Sequence, residues 1–312
     1  MREARSLRSV LRAVLVAAVS AVLFVGLVGT ASAAPPSDAQ ENSACVGRTI
    51  PTSKISIQLW TFAEYIGFGT DAATQARLEE VLSQLAAMGY RNVEPFSLSG
   101  LTAEQFRALL DEYGLKASAR HVNVGTPTAT VDIAAILEEN RILGIKYFGS
   151  GGTPNLNTEA EWIAYAQYLN AVGEQARKAG QTLMVHNHNW EFTDVFNGRT
   201  AYDILMAYTD PKNVVFQLDL YWATFAGVDP IALIERYGNR IQLFHVKDLN
   251  PTLNRRIEIV GRGNIDFASI FAAAGGGIRY YVVEHDPRFG DETFDPFEAA
   301  EEGFDYLTCK RA

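Results

Sequence analysis

Eight times along the chain a short run rich in β-branched and aromatic residues gives way to a longer amphipathic run, and few folds accept so regular an alternation. Strands are expected to begin near residues 54, 90, 115, 144, 181, 213, 240 and 278. Between them, apolar residues recur at helical spacing, as Leu78, Val81, Leu82 and Leu85 do before Gly89. Thr102 with Gln105 forms a capping-box pattern, and Asp229-Pro230 places proline at the first helical position, where its missing N–H costs nothing. The spacing suits parallel strands joined by crossover helices. The fold predicted is therefore α/β, a (β/α)8 TIM barrel in a single domain over residues 54–312. A doubly wound sheet is the alternative, although the chain has no dinucleotide fingerprint and no domain break.

The ends belong to a different argument. Arg2, Arg5, Arg8 and Arg12 precede an apolar run from Val14 to Val28, and Thr30-Ala31-Ser32-Ala33 offers the small residues a signal peptidase needs. Residues 1–33 are read as a signal peptide, against the competing reading of a membrane anchor, and the mature protein as secreted or extracytoplasmic. Cys45 lies too far beyond the apolar run for a lipoprotein anchor. Residues 34–53 are small, polar and proline-containing, a flexible lead-in by composition. The two cysteines, Cys45 and Cys309, stand near the two ends of the mature chain. They either close a terminal staple, which export permits, or remain unpaired in tails.

If the barrel forms, its chemistry sits where strands end. The run Thr182-Leu183-Met184-Val185-His186-Asn187-His188-Asn189-Trp190-Glu191 turns abruptly from apolar to polar. Strands six, seven and eight end likewise at Asp219, His245 and Glu284. Met184 with His186, Gln217 with Asp219, Leu243 with His245, and Val282 with Glu284 share faces by strand parity. Two imidazoles and two carboxylates at neighbouring tips can hold one divalent ion, with manganese, magnesium, zinc and cobalt all admissible. The bland alternatives are a helix cap for Asp219, a salt bridge for Glu284 and ordinary hydrogen bonding for each histidine. His188 is the alternative ligand to His186, Glu191 a possible base or cap, and Asn187 and Asn189 loop-fixing donors. Gly149-Ser150-Gly151-Gly152 is read as a tight turn, with an anion site second.

These stretches, in order, resemble the xylose isomerase-like TIM-barrel superfamily and its sugar phosphate isomerase/epimerase group. The resemblance runs from Ile55–Thr61 through Met88–Pro95, Tyr113–Lys116, His186-Asn187-His188, Leu218–Trp222, His245-Val246-Lys247-Asp248 and Gly261–Asp266 to Glu284-His285-Asp286. It implies metal ligation by Asp219, His245 and Glu284, and places His186 where a glutamate is common in related epimerases. The metal survives that exchange; the familiar pair of glutamates for two-sided proton transfer does not. Glu284 is then expected as the main proton-transfer group. His186, His188 or Glu94 would be a second participant, and Lys247 would stabilise developing negative charge.

Trp60, Trp190, Tyr221 and Trp222 fall near strand ends and suit a sugar's apolar face, as does the rim position of His121. Arg255, Arg256 and Arg262 are available to an anionic substituent. With 27 Lys plus Arg against 36 Asp plus Glu, a nucleic-acid partner is not expected, and a multinuclear DNA-repair endonuclease would need a richer set of histidines and acids. The expectation is a metal-dependent sugar isomerase or epimerase acting on a ketose or keto-sugar through an enediolate. A keto-glycoside lyase and a noncatalytic carbohydrate-binding protein are the alternatives. A small carbohydrate is the expected partner, no membrane anchor is expected after signal cleavage, and a homo-oligomer is left open.

Overall fold

The structure, a computed structural model, describes residues 45–287 and 293–310. The expected signal peptide lies outside them. Among the described residues no helix is long and apolar enough to cross a membrane.

The barrel strands are β1 Ile55–Gln58, β2 Asn92–Glu94, β3 in two segments Lys116–Ala117 and Ala119–His121, β4 Tyr147–Gly149, β5 Thr182–His186, β6 Val214–Asp219, β7 Ile241–Val246 and β8 Tyr280–Val283. Every neighbouring pair is parallel, in the order of the chain, and β1 pairs with β8. Strand β3 changes partner midway: its first segment pairs with β2, its second with β4. Ser118, between the segments, donates its N–H to Val93 O at 2.9 Å, and its hydroxyl meets that of Ser56 at 2.7 Å. A side-chain bond from β1 to the break in β3 thus spans β2, whose pairing with β3 covers only two residues on each strand.

The crossover helices are α1 Ala72–Met88, α2 Ala103–Glu112, α3 Ile133–Leu143, α4 Glu159–Lys178, α5 Ala201–Tyr208, α6 Pro230–Tyr237, α7 Phe267–Ala274 and α8 Pro296–Thr308. Each opens on an Asp or Thr whose side chain accepts a backbone N–H of the first turn: Asp71, Thr102, Asp132, Thr158, Thr200, Asp229, Asp266 and Asp295. That repeated cap fixes where each loop ends and each helix begins. Helix α8 starts at Pro296, because proline fits the first helical position behind the Asp295 cap.

Two apolar layers result. Leu78, Val81, Phe106, Trp162, Leu205 and Phe267 belong to the core between helices and barrel wall. Ala119, Tyr147, Met184, Val215 and Leu243 pack together as a separate cluster, with Tyr280 against it. Two residues on, the same faces of β3, β5, β6 and β7 carry His121, His186, Gln217 and His245, and β4 carries Gly149. Gly149 has no room for more: an ideal Cβ there would stand 2.0 Å from Met184 O.

Residues 45–53 are held, not loose as their composition suggests. Val46 and Ile50 are buried and donate N–H groups to Tyr306 O and Leu307 O at 3.3 and 2.9 Å. Cys45 and Cys309 form a disulfide. The small polar residues between these anchors mask two apolar contacts that only α8 makes visible.

Candidate metal centre

Eight C-terminal strand ends converge, so residues far apart in sequence meet in one buried cluster. Its floor is a closed hydrogen-bond network. Glu94 Oε1, at the tip of β2, accepts from Gln58 Nε2 and His245 Nε2, both at 2.7 Å, while Oε2 accepts from Gln217 Nε2 at 2.7 Å. Gln217 Oε1 in turn lies 2.8 Å from His121 Nε2 and 3.1 Å from His186 Nδ1. Glu94 is fully buried. Burial works against its charge, but His121 and His245 hold its carboxyl below the ordinary value.

Above this floor the second ring nitrogens face upward. His245 Nδ1 bonds Glu284 Oε2 and lies 3.9 Å from Asp219 Oδ2, and His186 Nε2 lies 4.0 Å from that same oxygen. Asp219 divides its oxygens: Oδ1 accepts from Trp222 N at 2.9 Å, capping the short helix Leu220–Phe225, and Oδ2 is buried without a hydrogen bond. One carboxylate therefore combines a helix cap with an oxygen that could serve a cation. Lys247 Nζ sits 3.2 Å from Asp219 Oδ2, 2.9 Å from Glu284 Oε2 and 3.0 Å from Asp286 Oδ1.

Burial raises Asp219 to about 6, with Lys247 and His245 countering it. Burial also acts against a charged His245, yet Glu284 and Glu94 outweigh it and raise its pKa. The same contest leaves Glu284 well below the carboxylate range, through Lys247 and His245. His186 and His188 go the other way, His188 to about 3, because burial dominates and nearby cationic groups, Lys247 among them, add to it, with Glu284 only partly countering at His188. Both stay neutral near pH 7, with a lone pair to offer.

Among the described residues, two triads have donor atoms within 4.8 Å of one another: His121, His186 and His245, and Asp219, His245 and Glu284. The lower ring nitrogens of the three histidines already serve Gln217 and Glu94. The second triad, with its unbonded Asp219 Oδ2, has the geometry of a single divalent-metal site, and His186 Nε2 stands beside it. His245 would present Nδ1 to the ion while Nε2–H bonds Glu94, the outer-carboxylate arrangement that orients ligating imidazoles. The oxygen and nitrogen donors suit a borderline or hard cation.

A cavity of about 540 Å³ opens over the cluster, lined by Trp60, His121, His186, His188, Lys247 and Glu284 among others. His188 stacks on Trp190 with centroids 4.2 Å apart, and its Nδ1 is buried without a hydrogen-bond partner. Glu191 accepts His188 N–H at 2.7 Å and the Thr153 hydroxyl at 2.5 Å, tying the β4 and β5 loops together. Asn187 Oδ1 accepts Asp219 N–H at 3.1 Å, a loop-fixing role.

Other expected site residues fall outside the cavity lining. Glu94 lies beneath it with both oxygens engaged. Trp190 and Trp222 support His188 from behind, and Trp222 also lies under Lys247. Arg256 is exposed on the β7 loop, whose base is closed by a two-residue ladder, Asp248–Leu249 with Ile257–Glu258, and it is not among the residues lining the cavity. The glycine loop serves close packing: ideal Cβ atoms at Gly151 and Gly152 would come within 2.8 Å of His121 Nδ1 and 3.2 Å of His188 Cε1. Sequence reasoning missed Gln58, Phe96, Asp286 and the bridging role of Gln217. The last shares strand parity with Asp219, the one signal that pointed to it.

A family profile described as xylose isomerase-like TIM barrel matches residues 82–308. An inosose dehydratase of Geobacillus kaustophilus (strain HTA426) is 26% identical over 254 residues, 72% of this chain and 78% of that protein. An inosose dehydratase of Geobacillus thermodenitrificans (strain NG80-2) is 29% identical over 174 residues, 49% of this chain and 56% of that one. Among solved structures, a sugar phosphate isomerase/epimerase from Parabacteroides distasonis ATCC 8503 superposes with a TM-score of 0.69 at 24% identity, covering 86% of this chain and 97% of its own, a likeness of fold.

Proposed function

The chain belongs to the xylose isomerase-like TIM-barrel family, and from that premise we propose that it is a divalent-metal-dependent enzyme that enolises a small keto-carbohydrate and then expels an oxygen substituent β to the carbonyl. The observation that carries this is the distribution of acids around the cavity. Both carboxylates on its wall, Glu284 and Asp286, come from the β8 tip, whereas the β3 and β5 walls offer the imidazoles of His121 and His188. Glu94, the other acid considered for a two-sided transfer, has no free oxygen.

A bound cation would polarise the carbonyl and neighbouring hydroxyl of the substrate, making the C–H between them more acidic. Glu284 then takes that proton, and the Lys247 ammonium faces the oxygen on which negative charge grows. The enediolate expels its β-oxygen with the bonding pair, and a proton returns to that oxygen. Similarity to inosose dehydratases supports elimination as the second half of the reaction. Return of the proton to carbon, an isomerisation or epimerisation, is the second reading. It is favoured by the same pocket, because a neutral imidazole of His121 or His188 can take a proton at another wall while Glu284 returns one from its own.

Incubation in D2O with manganese, magnesium, zinc or cobalt, using inososes, free ketoses and keto-glycosides, tests both halves by NMR. Deuterium should enter beside the carbonyl only with metal present, accompanied by loss of water or aglycone. Asp219→Asn should abolish exchange and weaken metal binding by more than about a hundredfold. Isomers without elimination would select the second reading; no exchange in any substrate by metal-loaded protein would overturn both. We also propose export, which the Cys45–Cys309 disulfide supports. Secreted protein should begin at Ala34, and a retained apolar segment would refute cleavage.

A further inference from the structure

We propose that Gln217 is a positioning residue that sets the tautomers of His186 and His121 together, leaving the metal-facing nitrogen of one and the cavity-facing nitrogen of the other unprotonated. The inference rests on the proposed ligand role of His186.

A carboxamide has one accepting end and one donating end. Gln217 Nε2 donates to Glu94 Oε2 at 2.7 Å, and Glu94 Oε1 is already filled by Gln58 and His245. Turning the amide over would aim its oxygen at a carboxylate and lose that bond where Gln217 and Glu94 are both fully buried. Glu94 therefore fixes which way Gln217 faces. Its Oε1 is left pointing at His186 Nδ1, 3.1 Å away, and at His121 Nε2, 2.8 Å away, a nitrogen that also lies 3.1 Å from Glu94 Oε1, so that two acceptors hold His121 in one tautomer and Gln217 alone holds His186. An acceptor between two imidazole nitrogens requires both to carry hydrogen.

Two consequences follow for the opposite ring atoms. His186 holds a lone pair on Nε2, the nitrogen 4.0 Å from the unbonded Asp219 Oδ2. His121 holds one on Nδ1, packed beside Gly151 on the cavity wall. A carboxylate at position 186 would have no tautomer to choose and would not need such a partner. A histidine there has two, and only one of them leaves Nε2 open to a cation. Gln217 is thus the complement of the histidine at the β5 tip, and its importance should vanish if that histidine is replaced by an acid.

Long-range ¹⁵N–¹H correlation on the ¹⁵N-labelled full chain, without metal, reads the tautomers directly. Hydrogen on His186 Nδ1 and His121 Nε2 is expected; hydrogen on His186 Nε2 overturns the proposal. Chelator competition with Mn²⁺ and Zn²⁺ supplies the second readout. Gln217→Met should weaken binding about 10- to 100-fold in the native background. In a His186→Glu background the same change should cost less than about threefold, since no metal-facing imidazole then depends on Gln217 for its tautomer. Equal losses in both backgrounds, or none in either, refute it. Should Gln217→Met fail to fold, the tautomers of the native protein decide alone. A native chain that binds no divalent ion refutes the metal reading, while the tautomer measurement still decides what Gln217 does.

Discussion

Asp219 shows how one side chain can be divided: one oxygen caps a helix, and the other, without a hydrogen bond, lies 3.2 Å from the Lys247 ammonium and faces two histidines. Residue identity at strand tips was legible in the sequence because parity and position select a few polar side chains from an apolar run. What each atom does was not, since Glu94 becomes a floor residue only through Gln58, Gln217 and His245. Glu191 offers a residue-scale test with a defined sign. Burial raises its pKa from 4.5 to about 7, with bonds from Thr153 and His188 countering it. A raised carboxyl binds more protons folded than unfolded between those values, so its penalty is absent below about pH 4.5 and complete above about pH 7. Glu191→Gln can keep both partners, with its oxygen accepting His188 N–H and its nitrogen donating to Thr153 Oγ1. The variant should gain on the order of 3 kcal/mol relative to the native chain between pH 5 and 8. Urea midpoints at the two pH values measure it, and parallel pH profiles for both proteins would refute it.

At the scale of elements, periodicity located the strands and helices, and caps located their starts. The split of β3 at Ser118 and the ladder in the β7 loop were invisible, because neither changes the local pattern; one answers to a neighbouring strand, the other to loop closure. Strand packing also gives Gly149 a meaning beyond a turn. Gly149→Ala puts a methyl against Met184 O, so β4 and β5 must separate. A loss of about 3 kcal/mol is expected. Gly276→Ala, whose Cβ would meet nothing within 4 Å, should stay within about 0.5 kcal/mol. Thermal unfolding of the pair checks this, and equal melting temperatures would refute the close-approach argument.

For the molecule as a whole, the decisive connection is between its ends. The disulfide spans 264 residues, and Val46 and Ile50 bond the carbonyls of Tyr306 and Leu307 in the last turn of α8. Closing so long a loop removes chain entropy worth up to about 5 kcal/mol, and measured gains of about 2–4 kcal/mol are usual. Cys45→Ser with Cys309→Ser should therefore lower the melting temperature while leaving metal affinity within about twofold, because no site residue touches the staple. A large loss of affinity with unchanged stability would contradict that separation. The sequence by itself determined the eightfold alternation, the strand-tip residues and the availability of two cysteines, because these depend on local period and chain order. Only the tertiary structure decided that the cysteines pair, that Glu94 lies under the cavity while His188 lines it, and that Gln217 links two histidines. Those relations join residues tens to hundreds of positions apart, and their distances exist only once the sheet has closed.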